Sequence, residues 1–233
     1  MSELARYRLE GKIAVVEMDD GKANALSDAM IEQVTAALTR AETEASAMVL
    51  AGREGRFCAG FDLRVMMSGP DAAKALLSRG SELLMRLYGA RVPLVIACTG
   101  HALAGGALTV LTGDLRIAAA GDFRIGLNEV SIGLPVPVLA MELARDRLLP
   151  TALTRATLLG HIHSPAEALA AGYVDEVVAP GEVVTRALAE ATRLSAIGSM
   201  AFRATKDRLR NRTIAHIRDT LDDDMRTLMS PAS

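Results

Sequence analysis

The chain has 233 residues, of which 50% are hydrophobic, 23% charged and only 3% aromatic, which suits one large domain with an aliphatic core, or one plus an appendage. A formal net charge of -2, from 26 Lys+Arg against 28 Asp+Glu, leaves no basic field for nucleic acid. Four Phe, three Tyr and no Trp provide no base-stacking surface either.

The N-terminal MSELARYRLEGK is charged where a signal peptide would be apolar. From Tyr7 to Met18, alternating residues around Glu10-Gly11-Lys12 predict a hairpin. Ser27 is the expected N-cap of a helix whose apolar face carries Met30, Ile31, Val34, Ala37 and Leu38. A short strand, Ala47 to Ala51, leads into a loop from Gly52 to Gly60, followed by a helix over about 71–88. Val92 to Cys98 is a buried strand, and Thr99 to Gly113 a loop-into-helix turn with Gly105-Gly106 at the turn. Strands follow at Leu115 to Ala119 and Phe123 to Gly126, then a helix from about Pro137 to Leu149. Ser164-Pro165-Ala166-Glu167 has the N-cap, first-turn Pro and capping glutamate of a helix start. Gly172 ends that helix, Tyr173 to Val178 returns as a strand, and the rest is helical. The order predicts an α/β core over 1–179 and a helical region over 180–233, packed together because no linker divides them.

Cys58 and Cys98 form neither a disulfide framework nor a metal spacing, and Cys58 reads as a small buried residue. No stretch approaches the roughly 18 apolar residues of a membrane helix. The C-terminal MSPAS matches no lipid or receptor-read address. These features predict a cytoplasmic protein with neither membrane nor nucleic-acid partners.

Three segments are candidates for chemistry. Gly105-Gly106 opens a helix, where free N–H groups suit an anionic oxygen; close packing of helix on strand is the plainer explanation of such a pair taken alone. Phe57-Cys-Ala-Gly-Phe-Asp-Leu63 is a small-residue turn after a strand. Glu129 sits among Ile125, Leu127, Val130 and Ile132, surroundings that raise a carboxyl toward the range of a general base. A surface or capping glutamate is the plainer alternative. No GxGxxG or GxxxxGK[ST] pattern is present.

Together with Lys22-Ala-Asn-Ala-Leu-Ser27, Thr99-Gly-His-Ala-Leu-Ala-Gly-Gly106, Asp114-Leu-Arg-Ile-Ala118, Ile125-Gly-Leu-Asn-Glu-Val-Ser-Ile-Gly133 and Ser164 to Val178, these segments resemble the crotonase (enoyl-CoA hydratase/isomerase) superfamily over about residues 7–210. The resemblance implies an α/β spiral of repeated ββα units with a C-terminal helical region that makes a homo-trimer or a dimer of trimers. It implies an acyl-CoA thioester substrate and no cofactor or metal. It maps an oxyanion hole onto the backbone N–H groups of Phe61 and Gly105. It places Lys22, Ala23, Asn24, Ala25, Leu26, Ala59, Gly60, Asp62, Leu63 and Gly106 along the substrate.

Hydratases of this family carry two glutamates; here Leu108 takes the first position and Glu129 the second. One carboxylate suffices to carry a proton between two carbons of one substrate. Asn128 before Glu129, and Leu83-Leu-Met-Arg-Leu-Tyr88, are similar to Δ3,Δ2-enoyl-CoA isomerases. The resemblance therefore implies double-bond isomerisation with Glu129 as the shuttle. A hydratase, another acyl-CoA lyase or hydrolase, and a non-catalytic acyl-CoA-binding protein are the alternatives.

The basic run Arg203, Lys206, Arg208, Arg210 and Arg212 suits either CoA phosphates or a solvated helix face. Ile214, Ile217, Leu221, Met225 and Leu228 keep the spacing of a packing face. His101 beside the glycine pair reads as a structural histidine, and His161 and His163 share no ligand set for a metal. Met66 and Met67 suit an acyl pocket or core filling alike. Against the family's usual length, 233 residues predict a reduced C-terminal helix.

Overall fold

The computed structural model describes residues 3–229. Strands β1 (Ala5–Glu10) and β2 (Ile13–Met18) form the expected hairpin, Ala5 opposite Met18, with Gly11 supplying the left-handed turn at φ +61°. Helix α1 (Asp28–Glu44) starts where the Ser27 hydroxyl accepts the Met30 N–H at 3.3 Å. Three turns of a spiral follow. The first has β3 (Ala47–Gly52), β4 (Gly55–Cys58), and helices α2 (Leu63–Met66) and α3 (Pro70–Tyr88). The second has β5 (Leu94–Cys98), β6 (Gly100–Leu103) and α4 (Gly105–Thr112). The third has β7 (Leu115–Ala119), β8 (Ile125–Gly126) and α5 (Val138–Arg147). Helices α6 (Pro150–Ala156) and α7 (Pro165–Ala171), strand β9 (Glu176–Val178), and helices α8 (Val183–Leu194) and α9 (Ser199–Met229) complete the described chain.

Each turn gives one strand to each of two sheets. The large sheet runs β1-β2-β3-β5-β7-β9, parallel throughout except for the β1–β2 hairpin. Its central strands are covered on both faces, which is why Ala47–Gly52 and Leu94–Cys98 are unbroken buried runs without alternation. The small sheet, β4-β6-β8, is also parallel. Its strands β4 and β6 fall where the sequence suggested loops. They are short, and Gly100 lies so close to Gly55 that an added Cβ would come within 2.1 Å of its backbone. Strands held by backbone contact carry little side-chain periodicity.

Helices α1, α3, α4 and α5 bury their apolar residues on one side of the large sheet, and α8 covers the other with Val183, Ala187 and Ala191 against Val49, Val95 and Ile117. The helical region thus completes the core. The last helix, α9, spans 31 residues, a run with no Gly or Pro to stop it. Ile214, Ile217 and Met225 are buried, so the expected packing face is real.

Neither reading of the basic run describes all of it. Arg208 and Arg212 are solvated, but Lys206 and Arg210 point into the protein and hold Asp114, each at 2.8 Å. Arg210 also donates to the carbonyls of Tyr88 and Thr112 and lies over the Tyr88 ring, and Arg203 donates to the Arg91 carbonyl. This half of the run clamps α9 to the ends of α3 and α4. No described helix is long and apolar enough to cross a membrane. Of the MSPAS segment, all but Met229 lies outside the described residues.

Candidate active site

The site is assembled from three loops at one end of the small sheet. The Asp20 carboxylate accepts the backbone N–H groups of Lys22 (2.7 Å), Asn24 (2.9 Å) and Ala25 (3.2 Å), closing the loop after β2 on itself. Asn24 locks that loop from beneath at φ +53°: its amide donates to the carbonyls of Met18, Arg56 and Phe57. Asn24 and Leu26, expected along the substrate, are wholly buried, so their side chains shape the loop. Lys22, Ala23, Ala25 and Asp62 do line a groove of about 400 Å³, together with Leu4, Asp20, Ser27 and Arg64. On the second loop, Ala59 and Leu63 are exposed and Gly60 is buried.

The two loops are stitched by backbone bonds: Ala59 N–H to Ala23 O, Leu26 N–H to Gly60 O, and Asp62 N–H to Leu26 O. That register leaves the Phe61 N–H between them with no acceptor among the described residues. Asp62 then caps α2, accepting the Arg64 N–H at 2.9 Å; its bond to the Arg64 side chain holds its carboxyl below the usual range.

The third loop carries the glycine pair. Ala104, a non-glycine residue at φ +48° and ψ −120°, turns the chain sharply from β6 into α4. Its N–H is held by the Gly126 carbonyl at 3.0 Å, and the next N–H, that of Gly105, has no acceptor among the described residues. It opens an eight-residue helix, where the dipole adds positive potential. The two free N–H groups are brought together by small residues. A Cβ on Gly60 would lie 3.1 Å from the Leu103 carbonyl and 3.4 Å from Gly105 N, and one on Gly105 would lie 3.0 Å from the Phe61 ring. Gly106 serves packing, since a Cβ there would stand 2.0 Å from the Cys58 carbonyl.

Glu129 follows β8 and opens a short 3-10 turn over Val130–Ile132. It is 8% exposed, and its Oε2 has no hydrogen-bond partner among the described residues. Burial raises its carboxyl above the ordinary value. Leu108 is 3% exposed, one helical turn beyond Gly105.

The family model for enoyl-CoA hydratase/isomerase matches residues 8–233. The chain belongs to that family. It is 32% identical over 223 residues to the human mitochondrial enoyl-CoA delta isomerase 1, covering 94% of this chain and 74% of that protein. It is also 32% identical over 203 residues to an enoyl-CoA hydratase of Mycobacterium tuberculosis, covering 83% and 75%. Among solved structures, an apo enoyl-CoA isomerase of M. tuberculosis superposes with a TM-score of 0.91 at 39% identity, covering 95% of this chain and 97% of that one. The fold is that of the family, and isomerase and hydratase names both recur among these relatives at similar identity.

Within this enoyl-CoA hydratase/isomerase chain, several residues had no sequence argument. Asp20 left only the Asp-Gly turn signal after a strand. Tyr173, read as the start of a strand, precedes β9 and is wholly buried, with its hydroxyl unpartnered among the described residues. His101 is structural: its Nδ1 accepts the Arg124 N–H at 3.1 Å and its ring meets Phe123 edge-on. Met67 is 85% exposed, whereas Met66 packs on the core. Burial pushes the Cys58 thiol up to about 12, so it has no thiolate to offer at neutral pH.

Proposed function

We propose that the chain moves the double bond of an enoyl-CoA from C3 to C2. The observation that carries this reading is Glu129: a buried carboxyl with a raised pKa and an oxygen unpartnered among the described residues, in a chain that has Leu and not a second carboxylate at position 108. Ionised Glu129 takes a proton from C2. The electron pair left behind delocalises onto the thioester oxygen, which the N–H groups of Phe61 and Gly105 hold as an enolate. The same carboxyl returns the proton at C4, and the double bond comes to rest between C2 and C3. Nothing is consumed, so the reading needs no cofactor. Each preorganised backbone donor contributes about 2.7–4 kcal/mol to lowering such a barrier. The groove along Lys22, Ala23 and Ala25 would take the CoA portion.

Hydration of a 2-enoyl-CoA would need one group to activate water and another to handle the α-proton, and Leu108 offers neither. Parallel assays on 3-enoyl-CoA and 2-enoyl-CoA, with Glu129→Gln as control, test the proposal. Conversion of the first, lost in the variant, is expected; hydration of the second without conversion of the first would overturn it. The reading includes assembly as a trimer or dimer of trimers. Exposed Leu134, Leu158 and Leu159 supply apolar surface for it, and native mass spectrometry reads the stoichiometry.

A further inference from the structure

Beside β8, the strand that leads to Glu129, lies a set of buried titratable groups that the double-bond shift does not use. The segment Gly160 to His163 runs antiparallel beside β8. Ile125 and His163 exchange two backbone hydrogen bonds of 2.9 Å, and the Ser131 hydroxyl donates to the Gly160 carbonyl. Contact is so close that a Cβ on Gly126 would lie 3.1 Å from the His161 carbonyl. The rings follow in order: Tyr173 to His163 at 5.1 Å between centroids, and His163 to His161 at 4.6 Å. His161 Nε2 then stands 3.6 Å from Glu167, whose side chain is 46% exposed. Glu129 Oε2, Tyr173 Oη, His163 Nδ1 and His161 Nε2 are all buried without a hydrogen-bond partner among the described residues. Buried polar atoms are seldom left unpaired, and several in one place call for a functional account.

We propose that Tyr173, His163 and His161 form a proton relay that connects Glu129 with the solvent near Glu167. The inference rests on the double-bond-shift reading, in which Glu129 holds a proton between its removal from C2 and its return at C4. With an acyl chain over the exposed edge of Glu129, the relay is the remaining way for that proton to be replaced. Each member takes a proton on one side and releases one on the other, directly or across one water, so no charge accumulates and no redox partner is needed. The groups are in suitable states. Burial, opposed by the Leu127 backbone N–H and reinforced by the Glu129 charge, keeps the Tyr173 phenol protonated. Burial, and next His161, hold the His163 imidazole below its ordinary pKa, hence neutral and able to both accept and donate.

The test is turnover of 3-hexenoyl-CoA in D2O, with deuterium read by mass spectrometry in product and recovered substrate. Wild type, Tyr173→Phe and His163→Asn are compared, with Glu129→Gln as blank. Deuterium per turnover should be high in the wild type and fall about threefold or more in both relay variants, because each removes one titrating link. A loss of stability alone would lower the rate without changing that ratio. Conversion with little deuterium in the wild type, or equal deuterium in the variants, overturns the relay and leaves the double-bond shift standing. Exchange without conversion overturns the double-bond shift, and the variants then judge the relay on the exchange itself. Neither exchange nor conversion in the wild type overturns both.

Discussion

The molecule buries ionised groups in two places and treats them in opposite ways. Under α9, Asp114 is met by Lys206 and Arg210 and also accepts the Leu94 N–H, so both carboxylate oxygens are occupied. After β8, Glu129 is buried more completely than Asp114, and one of its oxygens has no hydrogen-bond partner among the described residues. A paired charge in the interior holds elements in register, and its removal is expensive. An unpaired one costs stability where it stands, and its basicity is left for a substrate. The contrast separates a structural use of charge from a chemical one within a single core.

The largest expected effect falls on Glu129. Replacing it with Gln should lower turnover by about 10²–10⁴-fold, the usual contribution of a positioned acid-base group. The thermal midpoint should stay equal or rise, because the variant removes a charge the fold does not compensate. The pH dependence carries the sign. A carboxyl raised in the folded state binds more protons there than in the unfolded chain, between its ordinary and its raised pKa. Wild-type stability therefore falls as pH rises through that window, and the Gln variant lacks this slope. Activity runs the other way, climbing through the raised pKa as the base ionises. Full activity at a pH where ordinary carboxyls are still protonated would break the contrast.

At the paired site the expectation reverses. Asp114→Asn leaves two buried cations facing each other without their anion, a loss of about 3–5 kcal/mol on the usual scale for broken buried pairs. Urea denaturation measures it. Specific activity of the folded fraction should hold, since the clamp lies apart from the loops that carry Phe61, Gly105 and Glu129. A smaller effect is expected where the two regions are tied through packing. Gly106→Ala would place a methyl 2.0 Å from the Cys58 carbonyl, a backbone atom that cannot rotate away. Overpacking of this kind costs about 1–3 kcal/mol, and the shift of α4 it forces should reduce turnover as well.

The same contrast explains what could be read from the sequence. The hairpin, the Ser27 cap, the capping box at Ser164 and Glu167, and the large-sheet strands follow from local patterns, and all were legible. Glu129 was legible in part: of the apolar sequence neighbours expected around it, Ile125 and Leu127 are buried, whereas Val130 and Ile132 are exposed. Strands β4 and β6 were not, since glycine contacts between distant segments define them. Nor was the burial of Lys206 and Arg210. Their partner Asp114 lies 92 residues from Lys206, and on a helix wheel they are simply basic residues at i and i+4. The Tyr173–His163 cluster failed for the same reason: a buried polar group declares itself only when its surroundings are assembled.

Lys206 offers the finest test of the comparison. It faces Asp114 together with Arg210, two cations on one carboxylate, so one of them is electrostatically surplus. Burial pushes its ammonium down to about 8, against the attraction of Asp114 and with the repulsion of Arg210. Lys206→Met keeps the aliphatic stem and leaves Asp114 bonded to Arg210 and to Leu94. Its cost should be within about 1 kcal/mol of zero, well below that of Asp114→Asn, since replacing a buried ion by an apolar group of similar shape is often neutral. The sign with pH is specific. Between about 8 and the ordinary lysine value of 10.5, the unfolded chain binds the proton that folded Lys206 has lost, so wild-type stability gains with rising pH relative to the variant. Denaturation curves of both proteins across that range measure the difference. A variant that loses as much stability as Asp114→Asn would mean that Lys206 is the indispensable member of the clamp and that Arg210 alone cannot hold the carboxylate.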